Sequence, residues 1–233
     1  MENSEKKSLI STGSSNLAKT EKLLSITQKI LSEIKPQYES VRIGNQEWMT
    51  RNLDVDRFRN GDLIPHIESK EEWEEAGENG QPAWCYYDND PENGKKYGKL
   101  YNWFAVSDAR GLAPEGCHVP TDEEWTTLVE FLGGYDIAGH KMKSVENWED
   151  WEDLDGELQN GNGDNSSGFN ALPGGCRFGY GSFLSIRDYT FFWSAAEYIN
   201  NYAWYRNLYN FNGTVIRDNT SKSVGASVRC LRD

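Results

Sequence analysis

The pattern of apolar and polar residues divides the chain near residue 38 into two parts of different character. Before that point apolar residues recur at helical spacing, which predicts an amphipathic helix over about residues 16–35 that ends before Pro36. A polar tail and this helix make up residues 1–38. The apolar stripe consists of Leu17, Leu23, Leu24, Ile26, Ile30, Leu31 and Ile34.

A helix of this length is marginal alone in water, so its stripe must pack against something. The pattern leaves open whether it docks on its own domain or mediates homo-oligomerisation or docking to a partner. In the second case the chain is a structural or assembly module that acts through this helix.

Residues 39–233 show short apolar runs between turn signals, which predicts a loop-rich domain with short strands and two or so helices. Val41–Met49 has the pattern of two strands joined by a tight turn at Gly44–Asn45. Thr121–Glu124 has the pattern of a capping box, and Gly133–Gly134 ends the helix that follows.

Two further segments complete this outline of the domain. Residues 68–79 predict a short acidic helix with a solvated charged face. Ser223–Arg232 places alternate apolar residues on one side, which predicts a half-buried closing strand.

Composition and charge restrict the class of partner. Aromatic residues make up 13% of the chain, with nine Trp and 22 Gly, which suits irregular turns held by large side chains. The net charge of -13 disfavours nucleic acid and anionic membrane surfaces, because both bind clusters of Lys and Arg. With no membrane-spanning run and no apolar signal segment at the start, we predict a cytoplasmic protein.

The segment Tyr198–Ser221 mixes aromatic side chains with Asn, Ser, Thr and Gly. Tyr and Trp provide rigid contact area, and the small polar residues provide adaptable hydrogen bonds, as in antibody binding sites. We therefore predict a non-catalytic recognition protein. The candidate contact residues, called display residues below, are Tyr198, Ile199, Asn200, Tyr202, Tyr209, Phe211, Asn212, Ile216, Asp218, Asn219 and Thr220.

No cluster of residues indicates catalysis or a resident cofactor. The four cysteines are widely separated and are interpreted as reduced structural residues. His118 is expected to support the turn before the capped helix. The turn Asp88–Asn93 offers oxygen ligands that could hold Ca²⁺, but it lacks the spacing of a calcium loop, and such turns are common without metal.

Several motifs resemble those of the Fibrobacter succinogenes major paralogous domain family. The resemblance covers about residues 41–233, with the motifs in the same order. They are Ile43–Met49, Tyr97–Trp103, Gly116–Trp125, Gly168–Gly175, Trp193–Ser194 and Ser227–Cys230.

This resemblance implies a C-type-lectin-like fold of the type found in formylglycine-generating enzymes. Such a fold is a mixed α+β domain with few regular strands, in which Val41–Met49 lies close to Ser223–Arg232. It implies structural roles for Trp204 and Arg206. It favours a protein ligand, because the calcium-sugar triplets of true lectins are missing. It also connects the chain to variable proteins of diversity-generating retroelements, since the residue types in Tyr198–Ser221 can arise from Asn codons by changes at adenine.

The chain also departs from the pattern of the family. Ala113 stands where the family usually has Cys, so the disulfide that this position would form with Cys230 is not available. A formylglycine-generating type of oxidase is a further alternative. It would need two closely spaced thiolates for copper near the C-terminus, where only Cys230 is found.

Overall fold

The first described residues form the predicted hairpin. The computed structural model describes residues 38–233 and Lys22, so the predicted N-terminal helix otherwise lies outside the described residues. Strand β1 (Ser40–Ile43) pairs with β2 (Gln46–Met49) in antiparallel register, with Ile43 opposite Gln46 across the turn. Tyr38–Asp233 forms one compact unit.

The hairpin belongs to a four-stranded sheet that brings the two ends of the domain together. The strand order is β1-β2-β13-β5, in which β5 is Cys117–His118 and β13 is Leu231–Arg232. Leu231 lies opposite Trp48 on one side and His118 on the other. The expected proximity of the first and last strands is therefore confirmed.

A second, three-stranded antiparallel sheet occupies the C-terminal part of the chain. It consists of β10 (Tyr189–Ile199), β11 (Tyr202–Tyr209) and β12 (Ile216–Ser221), with β11 in the centre. The remaining strands form three two-stranded pairs. They are β3 (Trp84–Cys85) with β4 (Leu100–Tyr101), β6 (Trp151–Glu152) with β7 (Leu158–Gln159), and β8 (Cys176–Arg177) with β9 (Phe183–Leu184).

The described residues contain more helices than the two or so that the pattern predicts. The helices are α1 (Lys70–Glu78), α2 (Pro91–Tyr97), α3 (Trp103–Val106), α4 (Asp122–Phe131) and α5 (Tyr135–Met142), with a 3-10 turn at Tyr87–Asn89. The short helices α2 and α3 have one or two turns each and show no helical periodicity. The side chains of Asp90 and Asn102 cap the first turns of these two helices. No helix among these is long and apolar enough to cross a membrane.

Helix α4 begins as the sequence predicts. The Thr121 hydroxyl accepts a hydrogen bond from the Glu124 amide at 3.2 Å, and the Glu124 carboxylate accepts one from the Thr121 amide at 2.8 Å. The buried face of the helix carries Trp125 and Leu128 into the core. The capping box therefore fixes the position at which a central aromatic side chain enters the domain.

The closing segment is buried on both sides, so the prediction of a half-buried strand is wrong. Every residue from Val224 to Leu231 is buried, although only Leu231 and Arg232 form a strand. The rest of the segment makes single bridges with Tyr101, Arg177 and Phe192. It runs between other segments of the domain, which cover the small and polar positions as well as the apolar ones.

An aromatic cluster forms the centre of the core beside the four-stranded sheet. The rings of Trp48 and Trp125 lie 4.7 Å apart, and Phe169 and Phe192 meet edge to face at 5.7 Å. All four side chains have no measurable exposure. Burial of each such ring stabilises the fold by about 1.5–3 kcal/mol.

The buried cation Arg229 connects three distant segments at this cluster. Its guanidinium donates to the Met49 carbonyl at 3.0 Å, to Asn52 Oδ1 at 2.7 Å and to the Phe169 carbonyl, and it lies 4.4 Å above the Phe169 ring. Burial lowers the pKa of Arg229 to about 9, so the group remains charged at neutral pH. Its partners in this network are carbonyl oxygens rather than carboxylates.

Replacing Arg229 should therefore destabilise the domain strongly. We expect Arg229→Met to reduce the free energy of unfolding by about 3–5 kcal/mol, because several buried carbonyl groups lose their donor. The matched control is Arg42→Met, whose side chain is 71% exposed and which should change stability by less than about 0.5 kcal/mol. Urea denaturation followed by Trp fluorescence measures both, and similar midpoints would contradict the role given to Arg229.

Candidate recognition surface

The three-stranded sheet has buried side chains on both of its faces near its centre. Residues directly opposite each other in an antiparallel pair share a face. Trp193 lies opposite Tyr205, and Phe192 lies opposite Arg206, so these two pairs point to opposite faces. All four side chains are buried. Exposed residues are therefore found at the ends and the outer edge of the sheet.

One group of display residues lies at the turn between β10 and β11, together with Asn219 on β12, which is opposite Trp204. We call it the hairpin patch and define it as Tyr198, Ile199, Asn200, Tyr202 and Asn219. Tyr198 is 43%, Ile199 55% and Tyr202 46% exposed. The Tyr198 ring contacts the Trp204 ring edge to face at 4.6 Å, so a second aromatic side chain holds its orientation.

A second group lies toward the other end of the sheet, on the opposite face. We call it the loop patch and define it as Tyr209, Phe211, Asn212, Ile216 and Asp218. Tyr209 contacts Phe211 at 4.9 Å between ring centres, and Phe211 is 40% exposed. Asn212 uses its side-chain oxygen within the loop, where it accepts from the Thr214 amide at 3.1 Å. The last display residue, Thr220, is half-exposed near the hairpin end of β12.

None of the display residues is buried, but they do not form a single continuous face. Tyr202 and Tyr209 are the two ends of β11, which places them about 23 Å apart at the usual rise of a strand. The strand register places Tyr202 and Asn219 of the hairpin patch on one face of the sheet, and Tyr209, Ile216 and Asp218 of the loop patch on the other. The structure thus separates residues that are adjacent in the sequence pattern.

Some surface residues near the loop patch are missed by the sequence analysis. Tyr189 meets Tyr209 edge to face at 4.7 Å, and Trp151 approaches Phe211 at 6.4 Å. Phe191 is half-exposed on the same face. Tyr189 and Phe191 alternate with buried Thr190 and Phe192. This period-two pattern could have identified Tyr189 and Phe191 as surface residues.

Arg206 and Trp204 differ in how they support this surface. Arg206 is buried and donates to Asp122 Oδ1 at 2.6 Å, as its expected structural role requires. Trp204 is half-buried, so part of its ring is also open to solvent. Its ring lies between Tyr198 and the Arg217 guanidinium, which is 3.4 Å from the ring centre. Trp204 therefore belongs to the surface around the hairpin patch.

Asp122 holds both arginines of the sheet. Arg217 Nη2 lies 2.8 Å from the Asp122 carboxylate, and Arg206 approaches the same carboxylate from the core side. Burial would raise the pKa of Asp122, but hydrogen bonds from Arg217 and Arg206 outweigh burial and hold the pKa below its ordinary value. The carboxylate thus stays ionised and connects α4 to β11 and β12.

Buried Lys143 fixes the loop between β11 and β12. Its ammonium group donates to the carbonyls of Gly161 at 2.7 Å, Tyr209 at 3.0 Å and Asn212 at 3.0 Å. Burial lowers the pKa of Lys143 to about 8. These hydrogen bonds fix the backbone conformation of the loop between β11 and β12, in which Phe211 is exposed.

The other groups considered for chemistry have structural surroundings. His118 Nδ1 lies 2.7 Å from Asp233 and Nε2 lies 3.0 Å from Glu124, so this ring supports the start of α4 as expected. Burial would lower the pKa of His118, but these carboxylates raise it. The four thiols are buried and free, and burial raises the pKa of Cys85 and Cys176 to about 12.

The turn considered for Ca²⁺ contributes to local structure. Asp90 accepts a hydrogen bond from the Glu92 amide at 2.9 Å and caps α2, and the Asn89 amide group donates to the Glu68 carbonyl at 2.9 Å. Within the described part of the chain, no three His, Cys, Asp or Glu residues come together in a way that could hold a metal ion.

Comparison with protein families identifies a family for this chain. The profile of the Fibrobacter succinogenes major domain matches residues 41–232. The chain belongs to this family. Searches of curated proteins and of solved structures find no match.

The motifs that resemble the major domain form the core of this structure. Trp48, Trp125 and Phe169 are within the motifs and make up the aromatic cluster, and Arg229 joins them. The display residues lie between the last two motifs, in the three-stranded sheet. In this major domain, the features that define the scaffold are therefore separate from the candidate contact residues.

Removing the Asp122 carboxylate should uncouple the sheet from α4. We expect Asp122→Asn to reduce the free energy of unfolding by about 3 kcal/mol at pH 7, because buried Arg206 loses its counter-charge. An aspartate with a lowered pKa stabilises the fold above its unfolded pKa of about 3.9 and stops doing so as the pH falls through the folded value. The difference between the two proteins should therefore shrink below about pH 4.

The matched control for this change is Glu123→Gln, because Glu123 is exposed in the same turn of α4. It should alter stability by less than about 0.5 kcal/mol. Denaturant titrations between pH 3 and 8 measure both variants. A cost for Asp122→Asn that stays constant over this range would contradict the ion-pair explanation.

Proposed function

We propose that this protein is a non-catalytic recognition protein that binds a protein ligand through the hairpin patch and the loop patch. One observation carries the proposal. The three-stranded sheet holds residues such as Phe192 and Arg206 in the core and leaves Tyr202 exposed, and the loop between β11 and β12 leaves Phe211 exposed. Tyr and other aromatic residues dominate the binding energy of protein interfaces when they are presented in this way.

The exposed rings are supported by neighbouring aromatic rings. Trp204 contacts Tyr198, and Tyr189 contacts Tyr209. Side chains that are already ordered lose less conformational entropy on binding. This pre-organisation supports contact with a partner.

The cysteines support the non-catalytic part of the proposal. Cysteine acts as a nucleophile or as a copper ligand in its thiolate form. Burial raises the pKa of all four thiols and therefore disfavours the thiolate. Cys230, the single thiol near the C-terminus, has no measurable exposure. The oxidase alternative therefore gains no support from the thiol groups.

We propose that the scaffold is a C-type-lectin-like fold. Paired first and last strands, small sheets joined by loops, and a C-terminal sheet that carries exposed residues support this assignment. The same features suit a variable protein of a diversity-generating retroelement, because the display residues lie outside the core and substitutions there cost little stability.

Retroelement diversification can be tested in the genome. We expect a reverse transcriptase gene close to the coding sequence. We also expect a near copy of the segment for Tyr198–Ser221 that differs at adenines. A neighbourhood without either would remove diversification from the proposal and leave the recognition function untouched.

The recognition function itself predicts a specific loss of affinity. A protein captured from the source organism with the full chain is purified, and its binding is measured by calorimetry. Tyr202→Ala and Phe211→Ala should each weaken binding at least tenfold, about 1.4 kcal/mol. The control Phe131→Ala removes a ring that is 63% exposed on α4 and should change affinity less than twofold.

Two outcomes would contradict this function. Equal affinity of the three variants would exclude the display residues as the contact surface. A loss caused by Leu24→Glu with Leu31→Glu, but not by Tyr202→Ala or Phe211→Ala, would favour the assembly alternative through the N-terminal segment.

A further inference from the structure

A groove of about 750 Å³ lies beside the hairpin patch. We propose that it binds an arginine or lysine side chain of the protein partner. The inference rests on the proposed recognition function and specifies the chemistry of the ligand. The groove is lined by the C-terminal half of α1, by Phe104, Phe178 and Tyr180, and by residues of the β10–β11 turn and of 220–224.

Negative charge is concentrated on one wall of the groove. Glu74 and Glu78 line it from successive turns of α1, and both are exposed. Helix α1 has no basic residue in its last turn, so its own side chains do not offset the negative end of the helix dipole. Two carboxylates and a helix C-terminus together favour a cationic ligand group.

Aromatic rings line other parts of the same groove. Phe178 and Tyr180 stack with their ring centres 5.1 Å apart, and Tyr180 is 51% exposed. Phe104 and Tyr202 also face the groove. A guanidinium can stack on such rings while it donates paired hydrogen bonds to a carboxylate, and an ammonium group can use the same cation–π attraction.

The basic residue that lines the groove already forms an ion pair within the protein. Among the described lining residues, Lys222 alone is basic. It is buried, its ammonium group lies 2.5 Å from Glu197 Oε1, and it also donates to the Asn200 carbonyl. It therefore neutralises Glu197 and leaves Glu74 and Glu78 to a ligand.

The floor of the groove is fixed before any ligand arrives. A side chain at Gly77 would place its Cβ 2.6 Å from Ser223 Cβ, so α1 packs closely on the floor because this residue is glycine. Trp73 Nε1 donates to the Ser223 carbonyl at 3.1 Å, and the Ser221 and Ser223 hydroxyls are 2.8 Å apart. A pre-formed site loses little free energy to ordering on binding.

The position of the groove argues for a protein ligand. Tyr202 and Thr220 are display residues and also line the groove. A partner that covers the hairpin patch can therefore extend one basic side chain into the groove. The acidic wall, with a net charge of -13 on the whole chain, also favours the approach of a positively charged segment.

The test uses two short peptides and the full chain labelled with ¹⁵N. One peptide is Gly-Ser-Gly-Arg-Gly-Ser-Gly, and in the other the arginine is replaced by citrulline, which has nearly the same shape without the charge. We expect the arginine peptide to shift the amide signals of Gly77–Gly80 and Phe178–Tyr180. Its Kd should be at least tenfold lower than that of the citrulline peptide.

Two double variants that remove the same charge test whether the arginine peptide binds in the groove. Glu74→Gln with Glu78→Gln should weaken binding of the arginine peptide at least fivefold. Glu72→Gln with Glu75→Gln removes the same charge from residues of α1 that do not line the groove, and should change the Kd less than twofold. Well-dispersed amide spectra establish that each variant is folded.

Equal binding of the two peptides, or equal losses in the two double variants, would overturn the proposal. The peptide experiment needs no captured partner, so failure of the groove proposal can be distinguished from failure of the recognition function. A purified partner that loses affinity with Tyr202→Ala but not with Glu74→Gln and Glu78→Gln would uphold recognition and overturn the role of the groove.

Discussion

The fold depends on buried cationic side chains that satisfy the carbonyl groups of irregular segments. Buried carbonyls outside helices and sheets need donors, and the arginine guanidinium carries five N–H groups. Arg229 supplies them to Phe169 and also to Met49, the last residue of β2. Arg177 does the same for the carbonyls of Ile67 at 2.6 Å and Glu68 at 2.8 Å, with its guanidinium 4.6 Å from the Trp73 ring.

This arrangement explains how a domain with so little regular structure remains ordered. The long loops are tied to one another by side-chain donors at their buried points, and aromatic rings fill the space around those donors. Lys143 acts in the same way, because it donates hydrogen bonds to the Tyr209 and Asn212 carbonyls and fixes the loop before β12. The scaffold thus holds its shape with few contributions from the display residues.

The separation between scaffold and surface is the physical basis of the proposed function. Asp122 and Arg206 hold β11 to α4 from the core side, whereas none of the display residues belongs to the buried core. In the proposed function the groove adds an electrostatic preference to this surface. The aromatic rings would then supply contact area, and Glu74 and Glu78 would select partners with a basic side chain.

Several features could be predicted from the sequence because they depend on neighbours within a few residues. The hairpin at Val41–Met49 follows from its turn, and the start of α4 follows from the capping box at Thr121–Glu124. The exposure of Tyr198–Tyr202 could be expected because aromatic and small polar residues alternate there without an apolar face. The family motifs indicated which residues build the scaffold.

Other features were decided only by contacts between segments far apart in the chain. The Arg229 guanidinium donates a hydrogen bond to the Met49 carbonyl, 180 positions earlier in the chain. No local pattern shows that the segment around Arg229 is buried on both sides. The same is true of Trp204, whose exposure depends on β12 and Arg217. The sequence by itself determined where hairpins and helices begin and turn, and which residue types occupy Tyr198–Ser221. The tertiary structure alone decided their division into two patches and the groove, because burial and sheet face depend on which distant segments pack together.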